Sequence, residues 1–338
     1  QKEKDTNENE KESHTIGLEN FARTLDAKFR VGEKVNVPLV VYYPNKLALQ
    51  SVDHPLVNNA PTNIESPLTA FRDALSDRSF NYDNFFKWFR WLEARRSAGD
   101  KEQEMFTNIT TAIYSLLNDI TEEAEEDYLP LYKGLHIKWT LDINGELFIK
   151  KRNAANNYTD LKIQQLSSGE KTFLLLISDL SRRLMIANQT LNNPLNGNAI
   201  VLIDEIDMHL HPSWQRKIIP QLTKTFPNCQ FVVTTHSPLV LGEIKDGTIF
   251  QLKDNAIQTL DFNTYGKDVN HILNSTMRVS ERNENIQKEL YEYLNFIASN
   301  ELDKAQEMRQ KLEIKIGTDE PLFKRADGII KRKKIIGR

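Results

Sequence analysis

The sequence predicts an α/β fold in which a mostly parallel sheet is flanked by helices, with a helical arm insertion and a helical C-terminal segment. Two short runs rich in apolar and β-branched residues, 199–203 and 231–235, lie on either side of a stretch with helical character. Short runs of this kind that alternate with helices are typical of parallel sheets covered on both faces. A third run, 34–44, is β-branched and aromatic and stops at Pro44, which favours another buried strand.

The helical parts are predicted from the spacing of apolar residues. Between residues 68 and 127, aromatic and aliphatic side chains recur at helical spacing around a polar break, which predicts the helical arm. Residues 169–187 keep one face apolar and predict a single helix, and the charged segment from 281 onward is helical in pattern. In contrast, residues 135–151 alternate apolar and polar side chains around Asn144-Gly145, which predicts a β-hairpin.

Composition limits the classes of protein to which the chain can belong. It has 338 residues, 39% of them hydrophobic, which is enough for a sizeable core in two or three packed units. A formal charge of -3 excludes a global attraction to nucleic acid or anionic membrane, so such contacts need a local basic patch. Cys229 is the single cysteine and cannot form an internal disulfide. With no apolar run long enough to span a bilayer, these features predict a cytoplasmic protein without a membrane partner.

Two acids end the strand predicted at 199–203. The stretch IVLIDEIDMHLHP places Asp204 and Glu205 at the carboxyl edge of the sheet, where ligands of α/β folds bind. In nucleotide hydrolases the first such acid holds Mg²⁺ and the second accepts a proton from the attacking water. Taken alone, the pair is equally compatible with solvated acids at the end of a strand.

Two further motifs favour the nucleotide interpretation. Ser167, Ser168 and Gly169 precede a helix, and the amides and hydroxyls of a helix N-terminus bind anions, although a simple helix cap explains the same residues. His236 follows the strand at 231–235 directly, on the same sheet edge as Asp204. A lone histidine there is most often structural. In company with the other two motifs, it is predicted to contact the γ-phosphate or the attacking water.

The order LSSGEKT, IVLIDE, TTHSP resembles the C-terminal half of an ABC-type ATPase head of the group that includes RecF, the SMC proteins and the OLD-type ATPases. The surrounding stretches DLSRRLMIAN, IDMHLHPSWQ and FPNCQFVVTTHSP are similar to the ATPases that accompany nucleases in bacterial antiphage systems, in particular the Septu and retron systems. The resemblance covers about residues 134–252.

This resemblance implies a role for each matching residue. Ser167, Ser168 and Gly169 correspond to the signature motif, which contacts the ATP held by the opposite protomer, with Lys171 assisting. Asp204 corresponds to the Walker B acid that holds Mg²⁺, Glu205 to the general base and His236 to the switch histidine. Asp207 begins the segment, up to His211, that meets its counterpart across the dimer. No third ligand accompanies His209 and His211, so no zinc site is predicted.

A Walker A motif is absent from the sequence. A P-loop needs G-x-x-x-x-G-K-[ST], whereas GEKT at 169–172 lacks the upstream glycine and GKD at 266–268 lacks the hydroxyl residue. In the family this motif lies ahead of everything quoted above, so we expect a chain that starts at Gln1 to lack that portion. Such a chain should bind ATP weakly and hydrolyse it negligibly. The Q-loop glutamine is not placed; Gln50 is a candidate.

The resemblance divides the chain into four predicted segments. These are a remnant of the N-terminal lobe and linker at 1–67, the helical arm at 68–133, the ABC-type ATPase lobe at 134–265 and the C-terminal helical segment at 266–338. The expected cofactors are ATP and Mg²⁺. The expected partners are a second copy of the chain in an ATP-sandwich dimer or higher oligomer, and a nuclease subunit such as an HNH protein.

Three functions stay open at this point. The leading one is an ATPase subunit that regulates a partner nuclease in antiphage defence; the second is a DNA clamp of the RecF or SMC kind; the third is a scaffold that never binds nucleotide. The C-terminal cations are compatible with contacts to DNA or a DNA–RNA hybrid, with docking of a nuclease, or with a solvated helix end. They are Lys324, Arg325, Lys331, Arg332, Lys333, Lys334 and Arg338.

Overall fold

The computed structural model describes residues 19–45, 66–76, 82–121, 129–138, 146–260, 263–280 and 282–336. Contacts divide the chain into two compact units. The first comprises Gln1–Gly247 with Thr264–Gly266, and the second comprises Thr248–Asn263 with Lys267–Arg338. The tail predicted at 1–14, the candidate Gln50, the turn Asn144-Gly145 and the side chains of Lys334 and Arg338 lie outside the described residues.

A three-stranded parallel sheet forms the centre of the first unit. Its strands are β1 (Leu39–Tyr43), β5 (Ala199–Ile203) and β6 (Cys229–Val233), in the order β1-β5-β6. The register places Tyr43 opposite Ile203 and Ile203 opposite Val233, so all three strands end at the same edge. The predicted α/β fold with a parallel sheet flanked by helices is therefore confirmed.

The two faces of this sheet differ in exposure. Side chains on one face, such as Val41, Tyr43 and Val201, are fully buried. On the other face, Ile200 and Val232 remain 42% and 52% exposed. The expectation of a parallel sheet covered on both faces is therefore wrong for the described residues, because one face of β5 and β6 has no element packed over Ile200 and Val232.

A second sheet in this unit is antiparallel. It consists of β2 (Tyr132–Lys138), β3 (Glu146–Arg152) and β4 (Tyr158–Lys162), in the order β2-β3-β4. Leu135 pairs with Ile149, and both are buried. These strands β2 and β3 are the two arms of the hairpin predicted at 135–151.

Helices pack around the two sheets of the first unit, apart from the exposed face of the parallel sheet. The helices are α1 (described residues 19–30), α2 (Tyr82–Arg95), α3 (Asp100–Thr121), α4 (Ser168–Ala187), α5 (Pro212–Thr225) and the short α6 (Pro238–Leu241), with 3₁₀ turns at Pro67–Phe71, Ile163–Gln165 and Pro194–Asn196. Both α2 and α3 pack against α4, and the ring of Phe89 lies 5.5 Å from that of Phe85 and 5.6 Å from that of Phe106. The aromatic residues of α2 and α3 are therefore part of the core of this unit.

Helix α4 carries a buried group of charges. The Asp179 carboxylate accepts hydrogen bonds from Arg182 at 2.9 Å, Arg183 at 2.6 Å and the Tyr43 hydroxyl at 3.1 Å. Arg183 also donates to the carbonyl of Ala70 at 2.6 Å. Burial alone would raise the pKa of Asp179, but the two guanidinium groups outweigh it and keep the pKa below its usual value. The group ties α4 to the end of β1 and to the 3₁₀ turn after it.

The second unit combines a hairpin with a helical bundle. Its elements are β7 (Phe250–Lys253), β8 (Ala256–Thr259), α7 (Val269–Ile272) continued by a π-helix at Leu273–Met277, α8 (Glu284–Ala298), α9 (Leu302–Ile316) and α10 (Pro321–Ile336). Buried side chains of the last three helices, including Tyr293, Leu312 and Phe323, form a core of their own. Among the described residues, no helix combines the length and apolar character needed to cross a membrane.

Candidate functional site

The first predicted site residue, Asp204, lies one position beyond the end of β5. Its amide donates to the Tyr43 carbonyl at 2.9 Å, which continues the pairing with β1. Its Oδ1 accepts a hydrogen bond from the Thr234 hydroxyl at 2.5 Å. Because β5 and β6 are parallel and in register, residues 204 and 234 are neighbours at the carboxyl edge. A neutral donor therefore fixes the carboxylate while leaving its negative charge in place.

Glu205 has an unusual backbone conformation. Its φ of 48° lies in the left-handed region, which costs a non-glycine residue about 1–2 kcal/mol. The amide of Glu205 donates to the same Thr234 hydroxyl at 2.8 Å, which holds this turn. Both acids lie past the last residue of β5, so this left-handed turn, and not the alternation of a strand, determines how Glu205 is presented. Its side chain is half-buried.

Asp207 connects the loop after β5 to the loop after β6. Its Oδ1 accepts hydrogen bonds from the Thr235 hydroxyl at 2.5 Å and from the His236 amide at 3.3 Å. The His236 side chain is exposed at the same edge. The structure therefore brings Asp204, Glu205, Asp207 and His236 together along one edge of the parallel sheet.

The predicted signature turn forms the N-terminus of α4. The hydroxyl of Ser167 caps the helix by accepting from the Glu170 amide at 3.3 Å, and the Glu170 carboxylate accepts from the Ser167 amide at 2.7 Å. Ser167 and Ser168 are exposed, and Lys171 is half-buried in the first turn. This is the capping box expected of a serine with a glutamate three residues later, and it leaves both serine side chains at the surface.

Gly169 brings this turn against the loop that follows the acids. A Cβ atom built on Gly169 would lie 2.6 Å from the carbonyl oxygen of His209, closer than real Cβ contacts. His209 itself has a left-handed φ of 62°. Only glycine permits this approach, so the turn and the segment Asp207–His211 are in contact within one chain.

Glu170 is held by three donors behind the turn. Its Oε1 accepts from Lys151 at 2.5 Å and from the Tyr132 hydroxyl, both on the antiparallel sheet. Burial by itself would raise the pKa of Glu170, but the hydrogen bonds from Lys151, Tyr132 and the Ser167 amide outweigh it and lower the pKa to about 2. The carboxylate therefore stays ionised and anchors the turn.

Of the two histidines between the acids and α5, His211 caps the helix and the His209 side chain is exposed. His211 is the N-cap of α5, and its Nδ1 lies 2.7 Å from the Ser213 hydroxyl. Within the part of the chain that the structure describes, no three histidine, cysteine or acidic side chains cluster as a metal site would require. Asp204 as the Mg²⁺ ligand remains a prediction, since a Mg²⁺ held mainly by phosphate and water needs only one or two carboxylates.

Sequence reasoning missed the residues that hold the acids. Thr234 and Thr235 each bond one acid, and Gln215 joins the two loops by accepting from Ser237 at 2.6 Å and donating to the Leu210 carbonyl at 3.1 Å. The signal was present in FVVTTHSP, because hydroxyl residues at the end of one parallel strand lie beside the residues that end the next. Gln215 carries no comparable signal in the sequence.

With this geometry established, a family model described as "AAA domain, putative AbiEii toxin, Type IV TA system" matches residues 41–242. The match covers more than half of the chain and contains every predicted site residue. The chain belongs to this family of AAA ATPase domains.

Curated relatives make the similarity more specific. The chain is 42% identical over 181 residues to the "Retron Ec83 probable ATPase" of Escherichia coli, and the aligned region covers 53% of this chain and 32% of the relative. It is 48% identical over 134 residues to the "Retron Vc95 probable ATPase" of Vibrio cholerae serotype O1 biovar El Tor, covering 37% of this chain and 25% of that protein. It is 34% identical over 153 residues to "Septu protein PtuA" of Bacillus mycoides (strain KBAB4), covering 45% and 18%. The chain thus spans a third or less of the length of these relatives.

Solved structures with a similar arrangement include SMC ATPase heads. An SMC head bound to the C-terminal winged-helix domain of ScpA has 14% sequence identity and a TM-score of 0.33 over 52% of this chain and 52% of that one. The SMC head domain of Thermotoga maritima has 18% identity and a TM-score of 0.28, with the same coverage of 52% and 52%. The family assignment rests on the sequence matches and not on these low scores.

Proposed function

We propose that this chain is part of an ATP-binding and ATP-hydrolysing ABC-type ATPase subunit that dimerises around ATP and regulates a partner nuclease in antiphage defence. The observation that carries the proposal is the junction of β5 and β6, where two threonine hydroxyls hold Asp204 and Asp207 beside Glu205 and His236. Neutral donors fix these acids without cancelling their charge. The family match and the retron and Septu relatives support the same function.

In this proposal Asp204 would hold Mg²⁺, directly or through water, and the Thr234 hydroxyl would orient its carboxylate. The ion, when bound with ATP, neutralises charge on the β- and γ-phosphates. Glu205 accepts a proton from the water that attacks the γ-phosphate, and His236 donates a hydrogen bond to the γ-phosphate or that water. The left-handed turn at Glu205 separates the base from the metal ligand and gives each acid its own task.

The signature turn acts on the nucleotide of the opposite protomer. Ser167 and Ser168 present hydroxyls at the positive end of α4, a helix of 20 residues, where backbone amides and the helix dipole favour a phosphate. Lys171 adds a positive charge in the first turn. Because Gly169 lies against the His209 carbonyl, movement of the segment Asp207–His211 on dimerisation would reach the signature turn of the same chain. ATP binding of this kind also requires a P-loop, a motif that these 338 residues do not contain.

The test is the substitution Glu205→Gln in the full-length protein. Loss of the base should lower the rate of ATP hydrolysis by about two to four orders of magnitude, while ATP binding persists. The control is Glu243→Gln, since Glu243 lies in the same unit and pairs with Arg216 at 3.0 Å. Unchanged turnover in the Glu205 variant would remove the residue from this role, and equal loss in both variants would indicate a general defect.

The defence role is tested separately, in cells. We expect the full-length protein with its partner nuclease to lower the plating efficiency of phage, and the Glu205→Gln variant to change that protection. If strains with the wild-type protein and with the Glu205→Gln variant were equally protected, ATP hydrolysis would not be needed to control the nuclease. Protection that needs no nuclease would contradict the proposed partner.

A further inference from the structure

Helix α10 carries four cations arranged around one glycine. Gly328 lies in the interior of the helix on its exposed side, and Lys324, Arg325, Lys331 and Arg332 occupy the positions four before, three before, three after and four after it. Residues at these spacings are the nearest neighbours of a helical position on the same face. All four cations are exposed, and we call them the basic quartet.

Packing does not explain the glycine at this position. A Cβ atom built on Gly328 would have no heavy atom within 4 Å, so a side chain would fit. Glycine in a helix interior weakens the helix relative to almost every other residue. Because Gly328 is exposed and has no side chain, its backbone is accessible between four long positively charged side chains.

Three other charged residues near the quartet already have partners. Lys333 donates to the carbonyls of Ile297 and Ala298, both at 2.8 Å, and so caps the C-terminus of α8. Asp327 pairs with Arg309, and Glu320 accepts two bonds from Arg282 at 2.9 and 3.0 Å. Among the residues that the structure describes, no ion pair joins the basic quartet to an acid. The predicted cluster of C-terminal cations therefore divides into a structural lysine and a group that faces solvent.

The surroundings of the basic quartet favour a nucleic-acid backbone over an anionic membrane as its partner. Insertion into a membrane would require an exposed apolar face, but Phe323 and Ala326 of α10 are buried in the bundle, and among the described residues of this helix Ile329 is the one large apolar side chain that is exposed, at 44%. From Lys324 to Lys331 the helix advances about 10 Å, which is long enough to contact successive phosphates of a strand. Arginine can bind a phosphate through two N–H groups and lysine contacts it as a point charge.

We propose that the basic quartet binds the phosphate backbone of a nucleic acid, with Gly328 admitting a phosphate close to the helix. The chain as a whole has a formal charge of -3, so this local group must supply the attraction. The proposal concerns the second unit and does not depend on ATP hydrolysis.

The test measures binding of a short labelled single-stranded DNA to the 338-residue chain by fluorescence anisotropy over a range of salt concentrations. The variant Lys324→Gln/Lys331→Gln should bind more weakly, and its salt slope should decrease by about 1.4, since each contact to a single-stranded phosphate contributes about 0.7. The matched control is Lys288→Gln/Lys311→Gln, which removes the same charge from exposed lysines of α8 and α9.

A second variant, Gly328→Gln, separates binding from folding. Glutamine is a better helix former than glycine, so the melting temperature should stay the same or rise, while a side chain at position 328 keeps the phosphate from the helix backbone and weakens DNA binding severalfold. Unaltered binding in both the quartet variant and the glycine variant would overturn the proposal and leave an acidic protein as the partner to consider. Equal weakening by the quartet and control pairs would also overturn the proposal, because such a result would indicate electrostatic attraction spread over the whole surface instead of binding at the basic quartet.

Discussion

The acid on α4 and the acids at the edge of the parallel sheet differ in the residues that surround them. On α4, the fully buried Asp179 contacts two guanidinium groups, at 2.9 and 2.6 Å. At the carboxyl edge of the parallel sheet, Asp204 and Asp207 are half-buried, and each accepts from a neutral threonine hydroxyl at 2.5 Å. Both arrangements fix a carboxylate in one position.

The difference lies in the charge that remains. Guanidinium partners cancel the charge of Asp179, as burial requires, because an unpaired carboxylate in the interior is very costly. Threonine partners add no positive charge beside Asp204 and Asp207, which suits a site for a cation and for the phosphates it accompanies. The donors of Asp179 thus neutralise its charge within the fold, whereas the hydroxyl donors of Asp204 and Asp207 do not.

The largest expected effect tests this comparison directly. Asp179→Asn leaves Arg182 and Arg183 without their counter-charge, which should lower the free energy of unfolding by about 3–5 kcal/mol. Asp204→Asn should cost about 1 kcal/mol or less, since residue 204 is half-exposed and the amide oxygen of asparagine can still accept from the Thr234 hydroxyl. Urea unfolding followed by tryptophan fluorescence measures both, because all four tryptophans lie before residue 248 and report on the first unit.

The outcome that would break the comparison is equal destabilisation by the two substitutions. Equal destabilisation would mean that Asp204 supports the fold in the same way as Asp179. We expect the opposite order in an ATPase assay of the full-length protein, with Asp204→Asn lowering turnover at a temperature where both variants are folded.

Glu170 is intermediate between the two groups, because a lysine and two neutral donors hold it. Its pKa in the fold is about 2, against 4.5 for the free side chain. A lowered pKa stabilises the folded state fully above the unfolded value, and that stabilisation is lost as the pH falls towards the folded value. Between about pH 5 and pH 3, wild type should lose on the order of 1–2 kcal/mol of unfolding free energy through this residue.

The matched variant for this pH experiment is Glu170→Gln. It removes the titrating group, so its unfolding free energy should decrease less steeply over the same pH interval, although it is less stable at neutral pH. Parallel pH profiles of variant and wild type would show that Glu170 does not carry the acid sensitivity of the first unit.

The parts of this molecule that were predictable are those determined by local pattern. The helix at 169–187 and the strand at 199–203 followed from the spacing of apolar residues, and the structure places them at Ser168–Ala187 and Ala199–Ile203. The acids and His236 were expected at one sheet edge because parallel strands bring their carboxyl ends together, and the structure places them there. The roles assigned to these residues came from the family resemblance and remain predictions.

The parts that were not predictable depend on contacts between distant residues. The bonds of Asp179 to Tyr43 and of Glu170 to Tyr132 join residues 136 and 38 positions apart. Nor does the sequence show that Lys333 caps α8 while Lys331 faces solvent, because both are lysines in one basic run. Helical phase and tertiary packing decide which of these identical side chains is free to bind.

The smallest expected effect concerns the hydroxyl that holds the edge of the sheet. Thr234→Val keeps the β-branched shape but removes the donor to Asp204 and the acceptor for the Glu205 amide. The unfolding free energy should change by about 1 kcal/mol, the usual net contribution of a hydrogen bond. Turnover of ATP in the full-length protein should fall about tenfold, which corresponds to about 1.4 kcal/mol in the activation free energy.

A positioning role predicts that Thr234→Ser restores turnover, since serine supplies the same hydroxyl. The control is Thr223→Val on α5, whose hydroxyl bonds only to carbonyls of its own helix, at 3.0 Å. Because the valine acts on the placement of Asp204 and Glu205, kcat should decrease more than the KM for ATP increases. If valine and serine behaved alike, the shape of the side chain and not its hydroxyl would hold the acids, and neutral hydrogen bonding would no longer distinguish the edge of the sheet from the core.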